Sequence, residues 1–222
     1  MKKHLTYVCA ASFVILVNGI FAQGTFQNLD FEQATVPFVP PGQFGADVTV
    51  SNGLPNRVAY FNSFQISTIP HDDVALGDAA VSLHDTSSGF YQPIQGSYSV
   101  LLQGSGSGPP HSAAIGQTGQ VPAGAASVRF WADPRSNLQV TFGGQGIEIF
   151  RLGSTPGYDV FGGDISSFAG QTAELRFIGP GNSGGYFDNI FFSAQPIPEP
   201  STFGLFTLGA LLLGWRFLCK RT

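Results

Sequence analysis

Residues 127–150 read SVRFWADPRSNLQVTFGGQGIEIF. Val128 and Phe130 alternate with Arg129 and Trp131, and Leu138, Val140 and Phe142 alternate with Gln139 and Thr141. A period of two sends successive side chains to opposite faces of a pleated strand, so each run reads as a strand with one buried face. Gly143-Gly144 then marks a turn before the next apolar run, GIEIF at 146–150. The same texture extends in both directions. Leu29 and Phe31 alternate with Asn28, Asp30 and Glu32, and Ala173, Leu175 and Phe177 alternate with Glu174 and Arg176. Further runs of strand length are DVTV (47–50), VSLH (81–84), YSVLLQ (98–103), AAIGQT (113–118) and YFDNIFF (186–192). Turn signals separate them, among them Asn52-Gly53, Gly77-Asp78, Ser88-Gly89, GSGSGPP at 104–110, Gly162-Gly163 and Gly184-Gly185.

No stretch between 23 and 198 carries a sustained apolar period near 3.6. About nine or ten short strands without intervening helices imply an all-β domain, an antiparallel β-sandwich. The Cys…Trp…Cys spacing of immunoglobulin domains is missing, so a jelly-roll is the expectation.

Both ends differ from this middle. Lys2, Lys3 and His4 precede an apolar stretch at 5–17, and Ala22 supplies a small residue before Gln23, the layout of a secretory signal peptide with cleavage after Ala22. An uncleaved anchor helix is the alternative. At the other end, 203–215 is an apolar run of 13 residues, about 20 Å as a helix, against a hydrocarbon core of about 30 Å. Arg216, Lys220 and Arg221 close it. The expected organisation is a signal helix at 1–22, a sandwich at 23–194 and a tail with a short transmembrane helix at 195–222.

Charge placement agrees with export. All 14 acids lie between Asp30 and Glu199, where the only basic residues are Arg57, Arg129, Arg135, Arg151 and Arg176. Every lysine flanks an apolar end, which places both ends on the cytoplasmic side under the positive-inside rule. So acidic a middle has no basic stripe for phosphates, which argues against nucleic acid as a partner. Cys9 and Cys219 sit in the terminal segments, leaving the middle without disulfide or thiol chemistry.

Pro198-Glu199-Pro200, the apolar run at 203–215 and the basic residues Arg216, Lys220 and Arg221 together resemble the PEP-CTERM sorting signal of Gram-negative bacteria. The two prolines remove backbone donors and favour an extended handle next to the membrane. The resemblance implies that an exosortase-type enzyme recognises the tail, that the membrane holds the chain transiently through the C-terminal helix, and that the cargo reaches the cell surface or an exopolysaccharide (biofilm) matrix. A weaker resemblance, carried by GTFQNLDFEQ (24–33), PIQGSYSVLLQG (93–104) and YFDNIFFS (186–193), is to exported jelly rolls and carbohydrate-binding modules. It implies that the first and last strands lie together, with Asp30, Glu32 and Asp188 as ligands of a structural Ca²⁺, a cation that prefers oxygen donors.

Signs of catalysis are sparse. His71-Asp72-Asp73 follows Pro70 and reads as a solvated polar turn in preference to a metal cluster, and His84-Asp85 ends a strand. No serine occupies a nucleophile elbow. Asp30 and Glu32 have the i, i+2 spacing a strand-borne glycosidase pair needs, with nothing to mark a cleft. The chain is therefore expected to be no enzyme. Sugar binding would use exposed aromatic faces, and Trp131, on the Arg129 face of its strand, is the leading ligand-binding residue. The readings carried forward are a structural or adhesive surface protein, a carbohydrate-binding module, and a glycoside hydrolase.

Overall fold

The alternating runs become strands in the computed structural model, which describes residues 24–198 apart from positions 41, 42, 44, 90 and 107. The signal segment, Glu199, Pro200, the apolar run at 203–215, Arg216, Lys220 and Arg221 lie outside the described residues. Among the described residues no helix is long and apolar enough to cross a membrane.

Two sheets form a β-sandwich. One has the spatial order β1 (Ala46–Thr49), β4 (Thr68–His71), β5 (Ala80–Asp85), β6 (Tyr98–Gln103), β14 (Gly184–Ser193), β8 (Ser127–Ala132), β12 (Asp159–Asp164) and β11 (Phe150–Ser154). The other runs β10 (Gln145–Ile147), β9 (Gln139–Phe142), β13 (Thr172–Gly179), β7 (Ala113–Gln120), β2 (Val58–Phe61) and β3 (Phe64–Ile66). A single helical turn, α1 (Val50–Gly53), and a 3-10 turn at Ser166–Phe168 interrupt them. Pairing is antiparallel except between β4 and β5, which are parallel and share one ladder pair, His71 with Leu83.

The core is aromatic and sits between the sheets. Phe130 of β8 meets Phe177 of β13 edge-on at 5.1 Å, and Phe187 of β14 stacks on Phe177 at 4.9 Å, so one ring from the smaller sheet joins two strands of the larger. Each is fully buried, a stabilisation of about 1.5–3 kcal/mol per side chain relative to exposure.

Three expectations change. The chain has fourteen strands among the described residues, more than the nine or ten anticipated, because β2, β3, β4 and β12 are too short or too rich in Gly and Pro to alternate. GIEIF is not one strand: Ile147 ends β10 in the smaller sheet and Phe150 starts β11 in the larger, so exposed Glu148 lies on a crossover between layers. Residues 28–32 form a turn. Asn28 and Phe31 have φ of 50° and 62°, and Gln33 N donates to Asn28 Oδ1 at 3.0 Å. Leu29 and Phe31 are buried all the same, so the alternation there reports burial without a strand. The turn does lie against the last strand, since Ile190 N donates to Leu29 O at 2.9 Å.

Candidate functional site

The described chain leaves the sandwich from the middle of the larger sheet. β14 ends at Ser193, and no helix or strand follows among the described residues. Ser127 Oγ and Arg129 Nη2 donate to Gln195 O at 2.7 and 3.2 Å. Beyond that tether Pro196 and Pro198 are exposed, in chain whose prolines favour an extended path.

The outer face of the same sheet carries a polar and aromatic row. The registers pair His84 of β5 with Ser99 of β6 and Asp188 of β14 with Trp131 of β8, and the Ser99 hydroxyl donates to Asp188 Oδ2 to join the two pairs. Trp131 is half-buried and stacks on Tyr158 at 4.5 Å with an interplanar angle of 15°, so Tyr158 covers one of its faces. Tyr91 lies 4.9 Å from Tyr186, and both line a cleft of about 360 Å³ rimmed by Gln103, Asp133, Arg135 and Ser136. Rings beside amides and an ion pair make a surface suited to polar, flat-faced ligands.

The three carboxylates proposed for calcium are spread out. Asp30 is exposed. Glu32 Oε1 accepts from Ser97 N and Tyr98 N at 2.9 and 3.2 Å, while Asp188 Oδ2 accepts from Gln95 N at 3.1 Å and Ser99 Oγ at 2.7 Å. Glu32 and Asp188 thus hold the two ends of the same turn. Among the described residues Asp30, Glu32 and Asp188 do not form a group of converging metal-ligand atoms. Asp188 is fully buried, and that desolvation pushes its carboxyl up to about 7 against the hydrogen bonds that favour the anion. Burial likewise pulls the His84 imidazole down to about 4, with His71 nearby adding to the effect.

A second polar group sits where β4 and β5 end. His71 and Asp72 are 1% and 4% exposed, which corrects the expectation of a solvated turn. Only Asp73 behaves that way, its Oδ1 accepting from Val74 N at 2.7 Å. The correction follows from the parallel pairing: Asp72 N donates to Leu83 O at 2.9 Å, drawing the segment after Pro70 onto β5. His71 Nε2 lies 3.2 Å from Asp85 Oδ2 and 3.4 Å from Asp72 Oδ2. Asp72 Oδ1 accepts from Asp85 N at 2.9 Å, and the Ser87 hydroxyl reaches Asp72 Oδ2 at 2.9 Å and Asp85 Oδ1 at 2.7 Å. Burial raises the Asp72 carboxyl above the usual carboxylate range.

Sequence reasoning could name these residue types, but not their convergence, which depends on one long-range ladder pair. Nearby, His84 Nδ1 meets Ser88 Oγ at 2.9 Å and Asp72 Oδ1 at 3.9 Å. A serine triad needs the nucleophile and the orienting carboxylate on opposite ring nitrogens, so these three do not form one.

Residues 196–221 match the PEP-CTERM protein-sorting motif. That motif supports export and sorting to the cell surface, with exosortase as the processing partner. No curated protein matches the chain. Among solved structures, an apo-form cyclase from Fischerella sp. is 16% identical over 80% of this chain and 98% of its own, with a TM-score of 0.43. TmCBM61 in complex with beta-1,4-galactotriose is 12% identical over 78% of this chain and 100% of its own, with a TM-score of 0.34. Likeness at this level carries no activity across.

Proposed function

We propose, taking the PEP-CTERM motif at residues 196–221 as the premise, that this chain is cargo with a structural or adhesive role in an extracellular, exopolysaccharide-associated matrix. In this reading residues 1–22 are a signal peptide removed on export, 23–194 are the delivered sandwich, and 195–222 are the sorting tail. The domain is substrate to the sorting enzyme and not itself a catalyst. The observation that supports this best is the exit of the chain: among its last described residues Pro196 and Pro198 are exposed, with Ile197 half-buried between them, just where the matched motif begins. A handle for a membrane enzyme has to be extended and accessible in this way.

The surface offered to polysaccharide is the outer face with the Tyr91–Tyr186 cleft and the Trp131–Tyr158 stack. Aromatic faces bind sugar rings through apolar contact while the rim supplies hydrogen bonds. One fractionation experiment tests both parts. Replacing Pro198, Glu199 and Pro200 by alanine should leave export intact and strand the protein in the membrane fraction; release equal to the parent rejects the sorting role. Tyr91→Ala together with Trp131→Ala should let sorted protein wash out of the matrix. Full matrix retention of that variant would reject the glycan-facing surface.

A further inference from the structure

The group at the ends of β4 and β5 has the donor set and spacing of a metal centre. One imidazole nitrogen and two carboxylate oxygens, from His71, Asp72 and Asp85, all lie within 4.8 Å of one another. The separations from Nε2, 3.2 and 3.4 Å, are long for charge-assisted hydrogen bonds, which run about 2.7–2.9 Å. Nε2 is within hydrogen-bond reach of Asp85 Oδ2 at 3.2 Å, but a single N–H cannot serve both oxygens, and Asp72 Oδ2 at 3.4 Å has no share in it. Two donors each about 2.0–2.1 Å from a tetrahedral zinc ion, however, stand about 3.3 Å apart.

The atoms not facing this point are already held by the protein. Asp72 Oδ1 is fixed by Asp85 N and Asp85 Oδ1 by Ser87 N, while the Ser87 hydroxyl bridges Asp85 Oδ1 and Asp72 Oδ2; Asp72 Oδ2 and Asp85 Oδ2 still lie on the imidazole side, each with a lone pair to spare. Outer contacts of this kind orient the ligands of metal sites. His71 Nδ1 lacks a protein partner, so with a metal on Nε2 its N–H calls for a water there. The Asp85 side chain is 21% exposed against 1% and 3% for the other two, so an ion enters from its side and keeps a water there.

We propose that His71 Nε2, Asp72 Oδ2 and Asp85 Oδ2 bind a divalent transition-metal ion of the Zn²⁺ type, with water as the fourth ligand. An imidazole beside two carboxylates selects such a borderline ion over Ca²⁺ or Mg²⁺, which favour all-oxygen shells. The ion is structural. β1 and β4 are antiparallel partners, and they join the rest of the larger sheet through the single His71–Leu83 pair, so a metal bridging the ends of β4 and β5 reinforces that join.

The test uses the full chain in detergent, stripped with a chelator and titrated with Zn²⁺, and with Ca²⁺ in parallel. One zinc per chain is expected, with Tm raised by about 5 °C or more at a hundredfold excess over Kd. Calcium should give no comparable shift. Asp85→Asn should weaken zinc binding at least tenfold, and Ser87→Ala, which keeps all three donors, by about 10–100-fold. Ser87→Ala decides the matter if Asp85→Asn does not fold. X-ray absorption should show one imidazole nitrogen with oxygen neighbours. Absent saturable zinc binding, parent-like affinity in both variants, an equal response to calcium, or sulfur donors from Cys9 or Cys219 would each overturn the proposal.

Discussion

Asp188 and His84 lie on one row of the outer face, and burial shifts their titrations in opposite directions. Asp188 rises from the ordinary 3.8 to about 7 on folding, because burial disfavours its anion. Between those limits the folded state holds more protons than the unfolded one, so this residue's contribution to stability is lost as pH rises from about 4 to 7. His84 falls from 6.5 to about 4 for the same physical reason applied to a cation. Here the unfolded state binds more protons, and stability is lost as pH falls from 6.5 toward 4. The two slopes oppose and largely cancel in the parent. Asp188→Asn should therefore unmask a Tm that climbs with pH across this window, by about 3 °C per pH unit relative to the parent, and His84→Gln should unmask the reverse. Melting curves at pH 4.5, 5.5 and 6.5 check this. Differences from the parent that stay flat with pH in both variants would rule it out.

At the scale of elements, β14 shows what the sequence could and could not disclose. Its apolar run is legible as a strand, as is that of β6, and in β8, β9 and β13 a local period of two also tells which face is apolar. The bulge in β14 is not. Three steps along β14, from Asp188 to Phe191, face two along β8, from Trp131 to Arg129, and Asn189 takes φ of 45° to absorb the extra residue. That frees Ile190 N to reach Leu29 O in the turn at 28–33. The bulge and the turn depend on each other, and neither leaves a pattern in its own segment. The metal-type cluster was hidden for a related reason: Pro70 signals a loop locally, while the pairing of β4 with β5 overrides it from a distance. Asn189→Val places a β-branched side chain in the left-handed region, so it should cost roughly 1–2 kcal/mol in a denaturant melt. Asn189→Gly should stay within about 0.5 kcal/mol of the parent. Equal stability of the two variants would mean the bulge does not constrain this residue.

Across the whole molecule, the last strand is also the innermost join. β14 lies between β6 and β8, and Phe187, Ile190 and Phe192 belong to the core, so the sandwich is incomplete until Ser193 is in place. The tether to Gln195 O from Ser127 and Arg129 adds a final restraint close to the matched motif. A sorting enzyme that cut upstream of Gln195 would release a weakened domain, and a cut within β14 would destroy it. Stop codons give the direct comparison. A chain ending at Pro198 should melt within about 1 °C of the full chain, since it keeps the whole described core, yet it should escape surface sorting. A chain ending at Ser183 lacks β14 and should not fold at all, because its loss separates β6 from β8 and opens the larger sheet through its middle. The intact mass of the naturally sorted protein should accordingly include Gln195. A mature form that is folded and ends before Gln195 would show that the sheet closes without its tether.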